Sequence, residues 1–526
     1  MPELLSRPDL LLHNAAFLTL NERQPHAEAL LIRAGRIAAV GSLADVQAQA
    51  APGTERCDLG GSVVTPGLND AHIHVWKVGQ LRTTSLDLRG LTERPELYRR
   101  VAERAATLQP GEWLVGRGWN EALLGGEGPT RRGLDEVAPH NPVLLTRTCA
   151  HIHAVNSPAL EAARITASTS APGGGEIQFA AGLLYETAFG LVTRAMPAPD
   201  VAQYERWILA GLTYLASLGL TSVTDPAVDP PLYAAYRALD ARLELPIRVN
   251  LLYMRRPDGG AETYPLPEQS VSDRLRCDSV KFFTDGGLSG ATAALAVPYH
   301  NTPEPTRGML RFEDADLYAL AEEAHAANWR IGAHAIGDRA LDQLLNVYER
   351  LERTHPGGKR HRIEHFGLPD ADHLRRAADL GVHAVPQAIF LHELRGNFAR
   401  YLPPDYWART YPLRSMLDAG LNVALSSDGP VVREVRPLMG LQAAVQEPMV
   451  PGQQLTALEA LRAYTLGGAL AQGDDDNRGT LESGKWADLS VLSADPLTHA
   501  RPGEIEVRTS YVAGVEMESK TGVPAS

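Results

Sequence analysis

Apolar positions along this chain follow two rhythms. The first sixty residues alternate short β-type runs with turns, at Leu10–Leu20 and again at Ala29–Gly41, where the Ala34-Gly35 step between apolar runs is a hairpin signal. The last forty residues are similar, at Asp488–Leu492 and Val507–Met517. Two β-rich ends around a different middle predict that the termini pair into one small sheet domain.

The middle carries short β-branched runs at Leu220–Thr224, Ile247–Leu252, Ser279–Phe283, Arg330–His334, Arg362–His365, Val382–Pro386 and Asn422–Ser426. Helical stretches lie between several of them, such as Leu317–Ala327, rich in alanine and leucine. With the run Ser62-Val63-Val64 this makes eight strands in βα alternation, which predicts a (β/α)₈ TIM barrel of α/β class. Residues about 80–200 break the rhythm with Pro110-Gly111, Gly125–Pro129 and Pro172–Gly175. They read as a large insertion after barrel strand 1, placed to act as a lid or specificity element.

Composition narrows the class. A chain of 526 residues exceeds one ordinary core, so a large domain plus a smaller one is expected. The net charge of −13 disfavours a nucleic-acid partner, which needs a basic face. Cys57, Cys149 and Cys277 are far apart and form no CxxC pair, which favours a reducing cytoplasm over a disulfide framework. The first nine residues carry acids and prolines where a signal peptide needs a basic and then apolar stretch, and no apolar run approaches the ~20 residues of a membrane span. A cytoplasmic enzyme with a small-molecule substrate and no membrane partner is the expectation; a homodimer stays open.

Candidate chemistry gathers at the ends of the predicted strands, where such barrels place functional side chains. His72 and His74, two apart at a strand end, would present two imidazoles to the same side. Lys281 lies on the fourth strand, His334 ends the fifth, His365 the sixth, and Asp428 follows the eighth. Neutral imidazole and carboxylate suit Zn²⁺ and related divalent ions. A lysine held in an apolar strand beside cations has a lowered pKa, and its free amine could add CO₂ to become a carbamate that bridges two ions. The nucleophile is then a metal-activated hydroxide, with Asp428 as general base and later acid. Bland readings stand beside these: a chance surface pair for His72 and His74, core histidines for His334 and His365, a helix N-cap for Asp428, and an ion pair with Asp285 for Lys281. Asp285 and Asp338 either orient ligands or cap turns.

The ordered series PGLNDAHIH, Lys281, His334, His365 and Asp428 resembles the amidohydrolase superfamily in its carboxylated-lysine binuclear subtype. GWNE at Gly118–Glu121, HIHAVNSPAL from His151, GLTSVTD ending at Asp225, KFFTDG from Lys281, HAIGDRA from His334, HRIEH ending at His365, SSDGP around Asp428 and GTLESGKWADLSVL from Gly479 are similar to the branch that contains N-substituted formamide deformylase. The resemblance implies a metal-dependent barrel over 63–478 and a composite β-sandwich over 1–62 and 479–526. It also implies two Zn²⁺ ions, or one, with Lys281 N6-carboxylated, and hydrolysis of an amide-like C–N bond in an N-acyl or N-formyl compound. Trp119 and His151 are candidate substrate contacts. Thr148-Cys149-Ala150, where this branch commonly has an acidic-glycine pair, departs from it beside His151. Esterase, lactonase or deaminase activity on the same site is the alternative, and a metal-free binding protein the remaining one.

Overall fold

The computed structural model describes residues 9–121, 123–148, 152–172, 175–186, 188–257, 262–302 and 304–517. The chain divides into two compact units, Met1–Val75 with Gly211–Ser526, and Trp76–Ala210.

In the first unit both termini enter one eight-stranded sheet. Leu489–Leu492 runs antiparallel to Glu55–Pro66, with Val491 opposite Val64, and Leu10–Leu18 lies parallel on the other side of that strand. Ala29–Arg33 and Arg36–Gly41 form the expected hairpin, closed by Ala34 and Gly35, both at positive φ as a tight two-residue turn requires. Leu12, Phe17, Leu30, Val64, Leu489 and Tyr511 fill the apolar face. The pairing is one continuous sheet and does not distinguish the two layers of a sandwich.

The rest of this unit is built on a nine-stranded sheet, eight strands of which run parallel in sequential order: β1 (Leu68–Asp70), β2 (Leu220–Val228), β3 (Arg248–Met254), β4 (Leu275–Phe283), β5 (Arg330–Ala335), β6 (Arg362–His365), β7 (His383–Val385) and β8 (Asn422–Val423), while the two-residue strand Ser270–Val271 pairs antiparallel with β4. Almost every residue of β2, β3 and β4 is buried, as a parallel strand covered on both faces demands. Beyond the strand ends, Ala71 N–H donates to Leu425 O at 3.3 Å and Asp428 N–H to His72 O at 2.7 Å, so the first and last segments meet in the manner of a TIM barrel. The helix Asp338–Thr354 turns Leu341, Leu344, Leu345, Tyr348 and Leu351 inward, the spacing of one buried helical face.

One strand is corrected. Ser62-Val63-Val64 belongs to the terminal sheet, and the first barrel strand begins at Leu68. The chain changes sheets at Gly67, where a Cβ would lie 2.0 Å from Thr221 Oγ1. Its N–H donates to Asp488 O and that of Leu68 to Ser490 Oγ, so no buried amide is lost at the crossover.

The second unit, Trp76–Ala210, has its own six-stranded sheet, in the order Gly175–Gln178, Leu183–Glu186, Ile152–Val155, Val143–Arg147, Leu114–Trp119 and Leu86–Asp87. Its core is built on Leu88, Leu97, Leu114, Trp119, Leu134 and Leu145. Among the described residues no helix is long and apolar enough to cross a membrane.

Candidate active site

At the carboxyl end of the barrel, ligating atoms of His72, His74 and Asp428 all lie within 4.8 Å of one another. His72 Nε2 and His74 Nε2 are 3.4 and 3.3 Å from Asp428 Oδ1. The row continues through His365, whose ring centroid is 4.8 Å from that of His72, to His334, 4.4 Å from His365. Lys281 is buried in β4 with Nζ 4.8 Å from the Phe283 ring centroid, and its charge acts on His72, Glu364 and His365.

Local backbone, more than strand alternation, brings these groups together. The sequence places His72 and His74 at the end of a strand, but β1 stops at Asp70 and the His-x-His runs as irregular chain beyond it. Main-chain bonds hold it from both sides: Ile73 N–H donates to Thr224 O within β2, and His74 N–H to Gly429 O after β8. Asp70 Oδ1 accepts the N–H groups of both His72 and Ser427, stitching the two segments. Burial raises the pKa of Asp70 to about 6 against the pull of those bonds. Glu364 and His365 are consecutive and by alternation should face opposite sides, yet both reach the row. A φ of 71° at His365 turns the chain there, and Asp428 is likewise left-handed at φ 57°.

Three of the four histidines have one ring nitrogen committed to an acceptor. His72 Nδ1 meets Glu364 Oε2 at 2.5 Å, His365 Nδ1 meets Gln387 Oε1 at 2.7 Å, and His334 Nε2 meets Gly286 O at 3.0 Å with Asp285 Oδ1 3.2 Å away. Each partner can only accept. Gly286 O is a carbonyl. The Gln387 amide is oriented by donating Nε2 to Val385 O and Ser426 Oγ. Glu364 is held ionised by Arg362, which reaches it through Nε at 2.7 Å and Nη2 at 3.0 Å and also donates to Ala71 O. Each committed nitrogen therefore carries the proton, and the opposite nitrogen presents a lone pair. Outer partners of this kind orient imidazoles for a metal, so the donor set fits a divalent cation.

The electrostatics agree. Burial lowers the pKa of His365 well below the usual imidazole range, and neighbouring His334 and His72 lower it further. Burial opposes charging of Asp428, but the His72 and His74 imidazoles that face it hold it well below the usual carboxylate range. Glu364 is likewise depressed: burial is outweighed by Arg362 and His72. His72 is pushed up despite its burial, by Asp428 and Glu364. A neutral His365 and two ionised carboxylates are the forms a cation requires.

Asp285 accepts the N–H groups of Ala294, Ile336 and Gly337 while lying against His334, so it ties a loop and orients a ligand at once. Asp338 accepts from Ala296 N–H and Tyr406 Oη, both structural contacts. Trp119 sits buried in the second unit's core with its indole N–H donated to Leu145 O. His151 lies outside the described residues. Sequence reasoning gave no role to Glu364, Gln387 or Arg362. Glu364 stands inside the quoted HRIEH, and a buried acid beside a predicted ligand was the available signal.

A parallel barrel with imidazoles and a carboxylate clustered at its carboxyl end defines the class of metal-dependent barrel hydrolases. Comparison with known proteins is specific: residues 55–517 match the amidohydrolase family, and the chain belongs to that family. It is 30% identical to N-substituted formamide deformylase of Arthrobacter pascens, over 98% of this chain and 99% of the relative. It is also 30% identical to the putative amidohydrolase YtcJ of Bacillus subtilis, over 95% and 98%. Among solved structures, an uncharacterized metal-dependent hydrolase from Pyrococcus horikoshii superposes with a TM-score of 0.81 at 26% identity, covering 94% of this chain and 99% of that one. The protein is thus a hydrolase of the amidohydrolase family.

Proposed function

We propose that the protein hydrolyses an amide-like C–N bond in an N-acyl or N-formyl compound, using two divalent ions, zinc by donor chemistry, held by His72, His74, Lys281, His334, His365 and Asp428. The observation that carries this reading is the set of three histidines whose outer partners accept from one ring nitrogen and leave the other as a donor. The similarity to a formamide deformylase supports the C–N bond. Bound ions of this kind lower the pKa of water to roughly 7 and polarise a carbonyl.

The chain's own residues do the rest. Asp428 Oδ1 faces the imidazoles of His72 and His74, and its carboxylate, ionised in its surroundings, accepts the proton of the attacking water. The same group returns that proton to the departing nitrogen, so the leaving group departs as a neutral amine. Lys281 adds CO₂ through Nζ, releasing a proton and forming an N-carboxylate; its burial favours the uncharged amine that this addition needs.

Metal analysis combined with a turnover screen tests the proposal, using N-formyl and N-acyl amines beside esters of matched shape. Two equivalents of metal and cleavage of the amides are expected. Hydrolysis of esters alone, or no hydrolysis by the fully metallated protein, overturns the C–N reading; one equivalent of metal overturns the bridging Lys281.

A further inference from the structure

A second polar cavity lies at the opposite end of the barrel. It has a volume of about 270 Å³ and is lined by Arg36, Arg248, Arg274, Arg276, Arg478 and Trp486, at the amino ends of β3 and β4 and beside the terminal sheet. Three of these guanidinium groups are neutralised. Arg248 pairs with Asp488 at 2.6 Å, Arg276 with Asp278 at 2.7 Å and Arg478 with Asp474 at 2.5 Å.

Arg36 and Arg274 differ. Among the described residues neither forms an ion pair. Arg36 stacks on Trp486, 3.8 Å from the ring centroid, and donates Nη1 to Gly484 O. Arg274 donates Nη1 to Pro246 O at 3.1 Å. Most of the five N–H donors on each guanidinium are thus left for another acceptor. The Asp273 and Asp474 carboxylates also line the cavity, but Asp474 is already engaged by Arg478, and Asp273 acts on Arg274 only at longer range. Burial, and then repulsion from Arg248, push the pKa of Arg274 down to about 10 against the pull of Asp488 and Asp273.

We propose that this cavity is an anion site, in which Arg36 and Arg274 hold a tetrahedral dianion such as the phosphate group of a small molecule. Two guanidinium groups outside any ion pair outnumber Asp273, the one lining carboxylate without an ion pair among the described residues, so the cavity is left net positive, and the planar fork of arginine suits tetrahedral oxyanions. The volume admits a compact group and little more. Because the cavity lies at the amino ends of the strands, its ligand is not the hydrolysed substrate.

Thermal unfolding of the metallated full chain in inorganic phosphate, in sulfate and in chloride at matched ionic strength tests the site. A saturable rise in Tm with phosphate over chloride is expected, because a ligand that binds only the folded state stabilises it. A matching rise with sulfate identifies the tetrahedral dianion as the recognised chemistry; phosphate alone would show that a phosphoryl group is required. The rise should be lost in R274Q and in R36Q, which leave the metal centre, the other place where phosphate can bind, intact. No difference between phosphate and chloride overturns the proposal. So does a rise that survives in both arginine variants, which would place the phosphate at the metal centre.

Discussion

The two ends of the barrel each gather a set of charged groups, and the two sets are organised on opposite terms. At the carboxyl end the groups converge on one another. Lone pairs of His72, His365 and His334 converge with Asp428, and Lys281 is buried among them, an arrangement that is stable only with a cation to complete it. At the amino end most charges are closed into pairs, and one of those pairs fastens the barrel to the terminal sheet. Arg248 at the start of β3 grips Asp488 beside the C-terminal strand, and Asp488 also accepts Ala513 N–H. The difference separates function from stability: breaking the upper cluster should abolish turnover with little cost to the fold, and breaking the lower one should do the reverse.

The largest effect is expected from Asp428→Asn. It removes the only proposed proton acceptor and keeps the shape of the side chain, so turnover should fall by about 10²–10⁴. Metal content should be unchanged by elemental analysis, and Tm should not fall, since a buried carboxylate is exchanged for a neutral amide. Unchanged turnover would remove Asp428 as the proton carrier. At the other end, Asp488→Ala leaves Arg248 as a buried cation without a partner, which costs about 3–5 kcal/mol. Its denaturant midpoint should drop clearly while turnover per folded molecule at low temperature stays near that of the parent. Loss of turnover without loss of stability would erase the contrast.

How much of this was legible in the sequence depends on the range of the interaction. Seven barrel strands were readable because each is an apolar run buried on both faces, as at Leu220–Thr224. The first was misplaced because the β-branched run Ser62–Val64 lies just before the His-x-His segment, and only the pairing of Val64 with Val491 assigns it to the terminal sheet. The sheet of the second unit was not visible at all, because its strands are two to six residues long and separated by glycine and proline turns. The order of His72, His74, Lys281, His334, His365 and Asp428 could be read from single residues at strand ends. The groups that aim them could not. Glu364 meets His72 across 292 positions of sequence, and Gln387 follows a strand, β7, that supplies none of the predicted metal ligands. The amino-end cavity has no local motif either, since Arg36, Arg274 and Arg478 come together only when the termini close on the barrel.

Glu364→Gln probes the upper cluster from its outer layer and should give the smallest effect. Glutamine can still accept from His72 Nδ1–H through Oε1, so the tautomer survives. The negative charge that polarises the imidazole is lost, however, and an amide N–H₂ now confronts Arg362, which bonded both carboxylate oxygens. Metal affinity should therefore weaken by about 10–100-fold, the usual cost of removing an outer partner. Competition with a chelator measures this directly. Because the proton-carrying Asp428 is untouched, excess metal should restore most of kcat in E364Q, whereas D428N should not respond. A variant whose metal affinity is unchanged, or whose lost activity does not return with added metal, would mean that Glu364 serves the packing around Arg362 and that the imidazole of His72 is aimed by the backbone alone.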